Sequence, residues 1–297
     1  MKNLVVFFSL LCVLASCTDP VELDSRFENA ELVVEAWLNT ESEPQTIILS
    51  ESQDFYDNRL PTYVEDAVVV VSEIVDSVPT GEIFVFEYQD SGRYVWTPEP
   101  GQTLGEVGQV MGLGVQRGEQ QYAAISQINR TAIIDSLSFQ FEEESLGLDE
   151  GLYAQIYARD QVGQGDAYFI RSTINDTLLL RTAELNIAFD ATFSPGTNTD
   201  GVAFIFPIRF SINKTDDNGG PIPLEPGETV AVEIIGLSPE AYLYLRIVQE
   251  QINNGQSGLF DLPVANSPGN VFDADTQEPI LGFFNVGEVA RISRVVE

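Results

Sequence analysis

Histidine is absent from the 297 residues, and cysteine occurs only twice, as Cys12 and Cys17. Without imidazole there is no Ser-His-Asp triad, no Cys-His pair and no histidine-ligated zinc, copper or haem iron. Beyond Cys17 there is no thiol, so the rest of the chain has no disulfide, no thiolate nucleophile and no thiolate metal site. Basic residues are also scarce, 14 Lys and Arg against 46 Asp and Glu, for a formal net charge of -32. Phosphate backbones are held by Lys and Arg that displace counterions, so nucleic acid is not an expected partner. Beyond Cys17, no apolar run reaches the roughly 20 residues that a spanning helix needs. What survives these exclusions is carboxylate chemistry, Ser-Lys chemistry and calcium held by oxygen ligands. A glycosidase needs two carboxyls roughly 5 to 9 Å apart, but 46 acidic residues offer pairs without selectivity. Glu142-Glu143-Glu144 reads as a solvated loop and Lys214 stands beside a turn. No catalytic residue is assigned, and the expectation is that the chain is not an enzyme.

The amino terminus has its own logic. Met1-Lys2-Asn3 is short and basic, and Leu4 to Leu14 is apolar except for Ser9. A charged start followed by such a run is an export signal, too short to be a membrane span. It ends in Leu14-Ala15-Ser16-Cys17, which resembles the lipobox of bacterial lipoproteins. That resemblance implies cleavage after residue 16, a diacylglycerol thioether on Cys17 and acylation of the new amino group, so that Cys17 is the lipidation site. Two or more acyl chains hold a protein stably on a bilayer. Residues 17–27 include the acidic tether Thr18-Asp19-Pro20-Val21-Glu22-Leu23-Asp24. It resembles sorting signals that send lipoproteins to the outer face of the outer membrane, so surface exposure is expected ahead of the periplasmic face.

The remaining body reads as strands between turns. Glu31 to Leu38 and Gln45 to Ser50 form a first pair around the turn Glu41-Ser42-Glu43-Pro44. Ala67 to Val71, Glu82 to Gln89, Gly92 to Trp96 and Gln121 to Ile128 follow, with a glycine-rich stretch from Gly101 to Gly118. In Glu82 to Gln89 the stripe Phe84, Phe86 and Tyr88 is the core candidate. Ile133 to Phe141, Leu152 to Arg159, Asp166 to Ile174, Glu184 to Phe193, Val202 to Ser211 and Thr229 to Ile235 continue the pattern. Short strands with almost no helical periodicity predict a mainly β chain. We expect an immunoglobulin- or prealbumin-like β-sandwich over residues 28–130 and a second β-rich domain over 131–297. One helix is expected near 239–254. Ser238 is a good N-cap, Pro239 suits the first helical position, and Ala241, Leu245, Val248 and Ile252 form an apolar stripe that Asn254-Gly255 ends.

Three oxygen-rich turns could hold calcium: Asn198-Thr199-Asp200-Gly201, Asp216-Asp217-Asn218-Gly219 and Asp273-Ala274-Asp275. Asp273 and Asp275 are the preferred metal candidates, although none of the three has EF-hand spacing and the same residues serve ordinary turns. Trp37, Trp96, Tyr242 and Tyr244 would be sugar-stacking platforms if exposed, and core or rim residues otherwise.

Several short segments follow Cys17 in order: Leu32-Val33-Val34-Glu35-Ala36, Asp66-Ala67-Val68-Val69-Val70, Glu240-Ala241-Tyr242, Phe260-Asp261-Leu262-Pro263, Gly269-Asn270 and Ile280-Leu281-Gly282-Phe283-Phe284. Their order resembles a lipoprotein family of Bacteroidota known only as domain of unknown function 4249. The resemblance spans nearly all of the chain after Cys17. It implies an outer-membrane lipoprotein that binds a TonB-dependent transporter as a non-enzymatic accessory of nutrient uptake. It attaches no catalytic residues. The alternative expectation is a surface glycan-binding or adhesive β-module, with calcium as its candidate cofactor.

Overall fold

The architecture comes from a computed structural model that describes residues 30–53, 59–181, 185–190, 201, 204, 208–209, 212–254 and 267–297. The export segment, Cys17 and the tether, the turn residues Asn198 to Asp200, Phe260 to Pro263 and most of the strand expected at Val202 to Ser211 lie outside the described residues. Residues 31–52 and 61–297 cluster as one compact unit, described here by itself. It is mainly β, with one helix among the described residues, as the sequence pattern predicts.

Nine strands form the first sheet. They are β1 (Leu32–Asn39), β2 (Gln45–Glu51), β3 (Ala67–Val75), β4 (Val78–Asp90), β5 (Arg93–Trp96), β6 (Val110–Arg117), β7 (Gln120–Gln127), β14 (Val271–Asp273) and β15 (Leu281–Gly287). Their order is β14-β7-β6-β3-β4-β5-β2-β1-β15, so two strands from late in the chain, β14 and β15, occupy its ends. The sheet curls until those ends almost meet. Ser126 Oγ accepts from the Val286 amide at 3.1 Å, and Asn129 bridges Gly287 across the seam. Alternation along each strand fills the inside with Val34, Ala36, Ile47, Leu49, Val69, Val71, Phe84, Phe86, Tyr94, Met111, Leu113 and Phe284. Phe84 and Phe86 are buried as the alternation predicts, whereas Tyr88 is 38% exposed near the end of β4. The glycine-rich stretch contains a full strand, β6, and two long strands follow Ile235 where none is read from the sequence.

Strand β15 runs parallel to β1, with Val34 opposite Gly282. Gly282 has φ +99, and a Cβ there would stand 2.0 Å from the Val34 carbonyl oxygen, so only glycine admits this register.

The remaining strands are β8 (Ile133–Glu142), β9 (Gly151–Arg159), β10 (Ala167–Ile174), β11 (Thr177–Leu178), β12 (Asn186–Phe189), β13 (Thr229–Leu237) and β16 (Val289–Val295). Strands β8 and β9 form a hairpin, and a second sheet runs β11-β10-β13-β16, with β12 on the β10 edge. Hairpin and sheet face each other across a second core in which Leu137, Ala154 and Ile156 meet Tyr168, Ile170, Val230, Val232 and Ile234. Thus residues 131–254 build the second layer pair, and the chain then returns through β14 and β15 to the first sheet before β16 joins the second.

The helix α1 (Pro239–Asn254) begins as its cap residues dictate, with Ser238 Oγ accepting the Ala241 amide at 3.0 Å. Ala241, Tyr242 and Leu245 pack with Ala167, Ile187, Leu237 and Phe283 in a third apolar cluster between the outside of β1 and β15 and the face of β10 and β12. Farther along the expected stripe, Ile252 is 47% exposed, so only the first half of it is buried. Gly255 lies outside the described residues.

Candidate functional site

Two of the candidate metal turns, those of Asp273 and Asp216, use their carboxylates as turn acceptors. Asp273 Oδ1 accepts the backbone N–H of Asp275 and of Thr276, each at 2.9 Å. The Thr276 amide bond, with that of Asp275 behind it, holds the Asp273 carboxyl below its ordinary range. Asp216 does the same in its own loop, accepting from Asn218 N at 2.8 Å and Gly220 N at 2.7 Å. Among the described residues no group of three or more His, Cys, Asp or Glu side chains is arranged to hold a metal ion.

The aromatic candidates are packing residues. Trp37 stacks on Phe283 with ring centroids 5.7 Å apart, and Tyr244 meets the same ring at 4.8 Å. Trp96 sits edge-on to Phe84 at 4.9 Å, and Tyr242 is buried against Phe189. Trp96 and Tyr242 are buried, whereas Trp37 and Tyr244 are half-buried against the third apolar cluster.

A polar cluster that sequence reasoning missed lies where β9 passes into β10. Arg130 grips Asp166 through Nε and Nη2 and donates to the Val162 and Gly163 carbonyls at 2.9 and 2.7 Å. Buried Asp160 accepts from the Tyr168 hydroxyl and from Gly201 N, and burial pushes its carboxyl up. Asp190 Oδ1 accepts the amides of Gly165 and Asp166. The visible signal was Asp160-Gln161-Val162-Gly163-Gln164-Gly165-Asp166, two carboxylates around a glycine-bearing loop. Arg130, Tyr168 and Gly201 engage the two loop carboxylates from outside, and Asp190 takes the loop amides, so the cluster ties the loop to its neighbours.

Among the described residues, the first sheet also carries exposed apolar side chains on its outer face. Register places Val85, Val70, Gly114, Ala123 and Phe272 in one row across β4, β3, β6, β7 and β14. Val85 is 51% exposed and Phe272 41%, while the same-face neighbours Val68, Ile83 and Ile125 reach 58%, 60% and 65%. The alternation that buries Phe84 and Phe86 turns Ile83 and Val85 outward. Gly114 lowers the centre of the row, where Val70 Cγ2 comes within 3.3 Å of the position a Cβ would take. Scattered apolar side chains are ordinary on a surface, but here five exposed ones lie on one face of adjacent strands in a chain of formal net charge -32.

The family model described as Domain of unknown function (DUF4249) matches residues 18–293. No curated protein matches the chain. The match takes in every strand of both sheets up to the last two residues of β16, and the helix between them, so the chain belongs to the DUF4249 family.

Proposed function

We propose that the chain is an outer-membrane lipoprotein, anchored through acylated Cys17, that docks on a TonB-dependent transporter as a non-enzymatic accessory of nutrient uptake. The observation that carries the docking is the exposed row from Val85 to Phe272 with its neighbours Val68, Ile83 and Ile125. An interface core is depleted of charge and rich in apolar side chains, with a polar rim. Here the rim is supplied by Gln116, Gln121 and Glu87, exposed on the same strands. The anchor rests on the sequence from Met1 to Cys17, which has the n-region, apolar run and lipobox of an exported lipoprotein. The non-enzymatic reading rests on the lack of histidine and of any thiol beyond Cys17, and on a family to which no activity is attached.

Two experiments test it separately. Metabolic labelling with a tagged fatty acid is expected to mark the chain and to lose the mark in Cys17→Ala. Unlabelled protein would remove the anchor. Crosslinking in native outer membranes is expected to join the chain to a transporter through its apolar face.

A further inference from the structure

The face of β10, β13 and β16 turned away from the second core carries a cleft of about 430 Å³. That lies within the range of roughly 300 to 1,000 Å³ typical of small-molecule sites. Strand register builds it from two rungs. The first is Arg171, Glu233 and Arg291; the second is Thr173, Ala231 and Ser293. Leu178, opposite Thr173, closes the β11 side.

The first rung is tied by ion pairs. Glu233 accepts from Arg171 Nη2 at 2.8 Å and from Arg291 Nε at 2.6 Å. Arg291 reaches on to Glu43, and the Arg171 guanidinium lies over the Phe169 ring at 5.9 Å. Two cations and two carboxylates cancel. The second rung is uncommitted: neither the Thr173 nor the Ser293 hydroxyl makes a hydrogen bond among the described residues, and Arg171 donates only to Glu233, its Nε buried without a partner. Alternating fixed donors and acceptors, two free hydroxyls and an apolar patch match a ligand with hydroxyls along one edge and a C–H face. The cancelled charge, inside a chain of net charge -32, disfavours an anion.

We infer that this cleft binds a neutral saccharide, with its hydroxyls on Arg171, Thr173 and Ser293 and its C–H face against Ala231 and Leu178. The site lies on a different sheet from the apolar docking row and does not depend on it.

The test is the detergent-solubilised full chain on an array of neutral and acidic glycans, with hits titrated by saturation-transfer NMR. A neutral glycan is expected to bind. The Thr173→Val, Ser293→Ala double variant is expected to weaken it about tenfold, as the loss of two hydrogen bonds dictates. Ala231→Phe, which fills the cleft floor, is expected to abolish it. Because these side chains lie at the surface, the double variant should melt with the parent, which separates lost binding from lost folding. An array with no neutral hit, a preference for acidic glycans, or binding that survives Ala231→Phe would each overturn the inference.

Discussion

Asn270 pairs with Phe284 as if its side chain were a strand backbone. Its Nδ2 donates to the Phe284 carbonyl and its Oδ1 accepts the Phe284 amide, both at 2.8 Å, while Nδ2 also reaches the Ile125 carbonyl at 3.3 Å. One primary amide thus bridges β15 and β7 at the seam where the nine-stranded sheet nearly closes. Asn270→Ala leaves the Phe284 N–H and C=O without partners in a part-buried setting, and an unsatisfied buried group costs about 1–3 kcal/mol. We predict a loss of about 2–4 kcal/mol by denaturant unfolding. Asn270→Asp, which keeps the acceptor but places a carboxylate against the Phe284 oxygen, should do no better. An Asn270→Ala protein as stable as the parent would show that the seam is held elsewhere.

Gly287 is the tightest backbone crossing between the sheets. A Cβ there would stand 2.0 Å from the Gly236 carbonyl oxygen, and one on Gly236 would meet the Asn129 and Arg130 carbonyl oxygens at 2.5 Å. These are backbone atoms and cannot swing aside. Gly287→Ala is expected to cost about 3 kcal/mol or more, at or beyond the upper end for overpacking. Equal melting temperatures for variant and parent would contradict this close approach.

The Glu43–Arg291 pair links the β1–β2 turn to β16 and gives a pH signature of definite sign. Burial opposes ionisation of Glu43, but hydrogen bonds from Arg291 and Asn39 outweigh it and hold the carboxyl below its usual range. A carboxyl lowered on folding stabilises the fold above its unfolded pKa, and that contribution disappears as pH falls through the folded value. The pair is about one-third exposed, so solvent screening limits it to about 1 kcal/mol or less. The parent should therefore exceed Glu43→Gln in stability at pH 7, with the gap closing below about pH 4. A gap independent of pH would contradict the ion-pair account.

The strands of the sequence reading stand where local alternation is clean, as in β7, where Tyr122, Ala124 and Ser126 are buried and their neighbours exposed. Strand β6 was hidden because Gly112 and Gly114 take outward positions that carry no side chain, yet Ile74 and Val70 lean over them from β3. In β15 every residue from Gly282 to Gly287 is buried, since one side faces the first core and the other the helix cluster. Such a strand shows no alternation to read. The rung Arg171–Glu233–Arg291 joins residues about sixty positions apart, and only pairing of β10, β13 and β16 brings them together. The apolar row was half legible: the alternation that assigns Phe84 and Phe86 to the core leaves Ile83 and Val85 on the other side, but nothing local fixed which strands would continue it.

The most direct test of the account is crosslinking of the tagged full chain in native outer membranes, read by mass spectrometry, for the parent and for Val85→Glu with Ile125→Glu. Both side chains are more than half exposed, so the double variant should keep the parent's stability. The account predicts one TonB-dependent transporter captured in near-stoichiometric amount by the parent and lost with the variant. No transporter among the captured proteins, or equal capture by a folded variant, would contradict it.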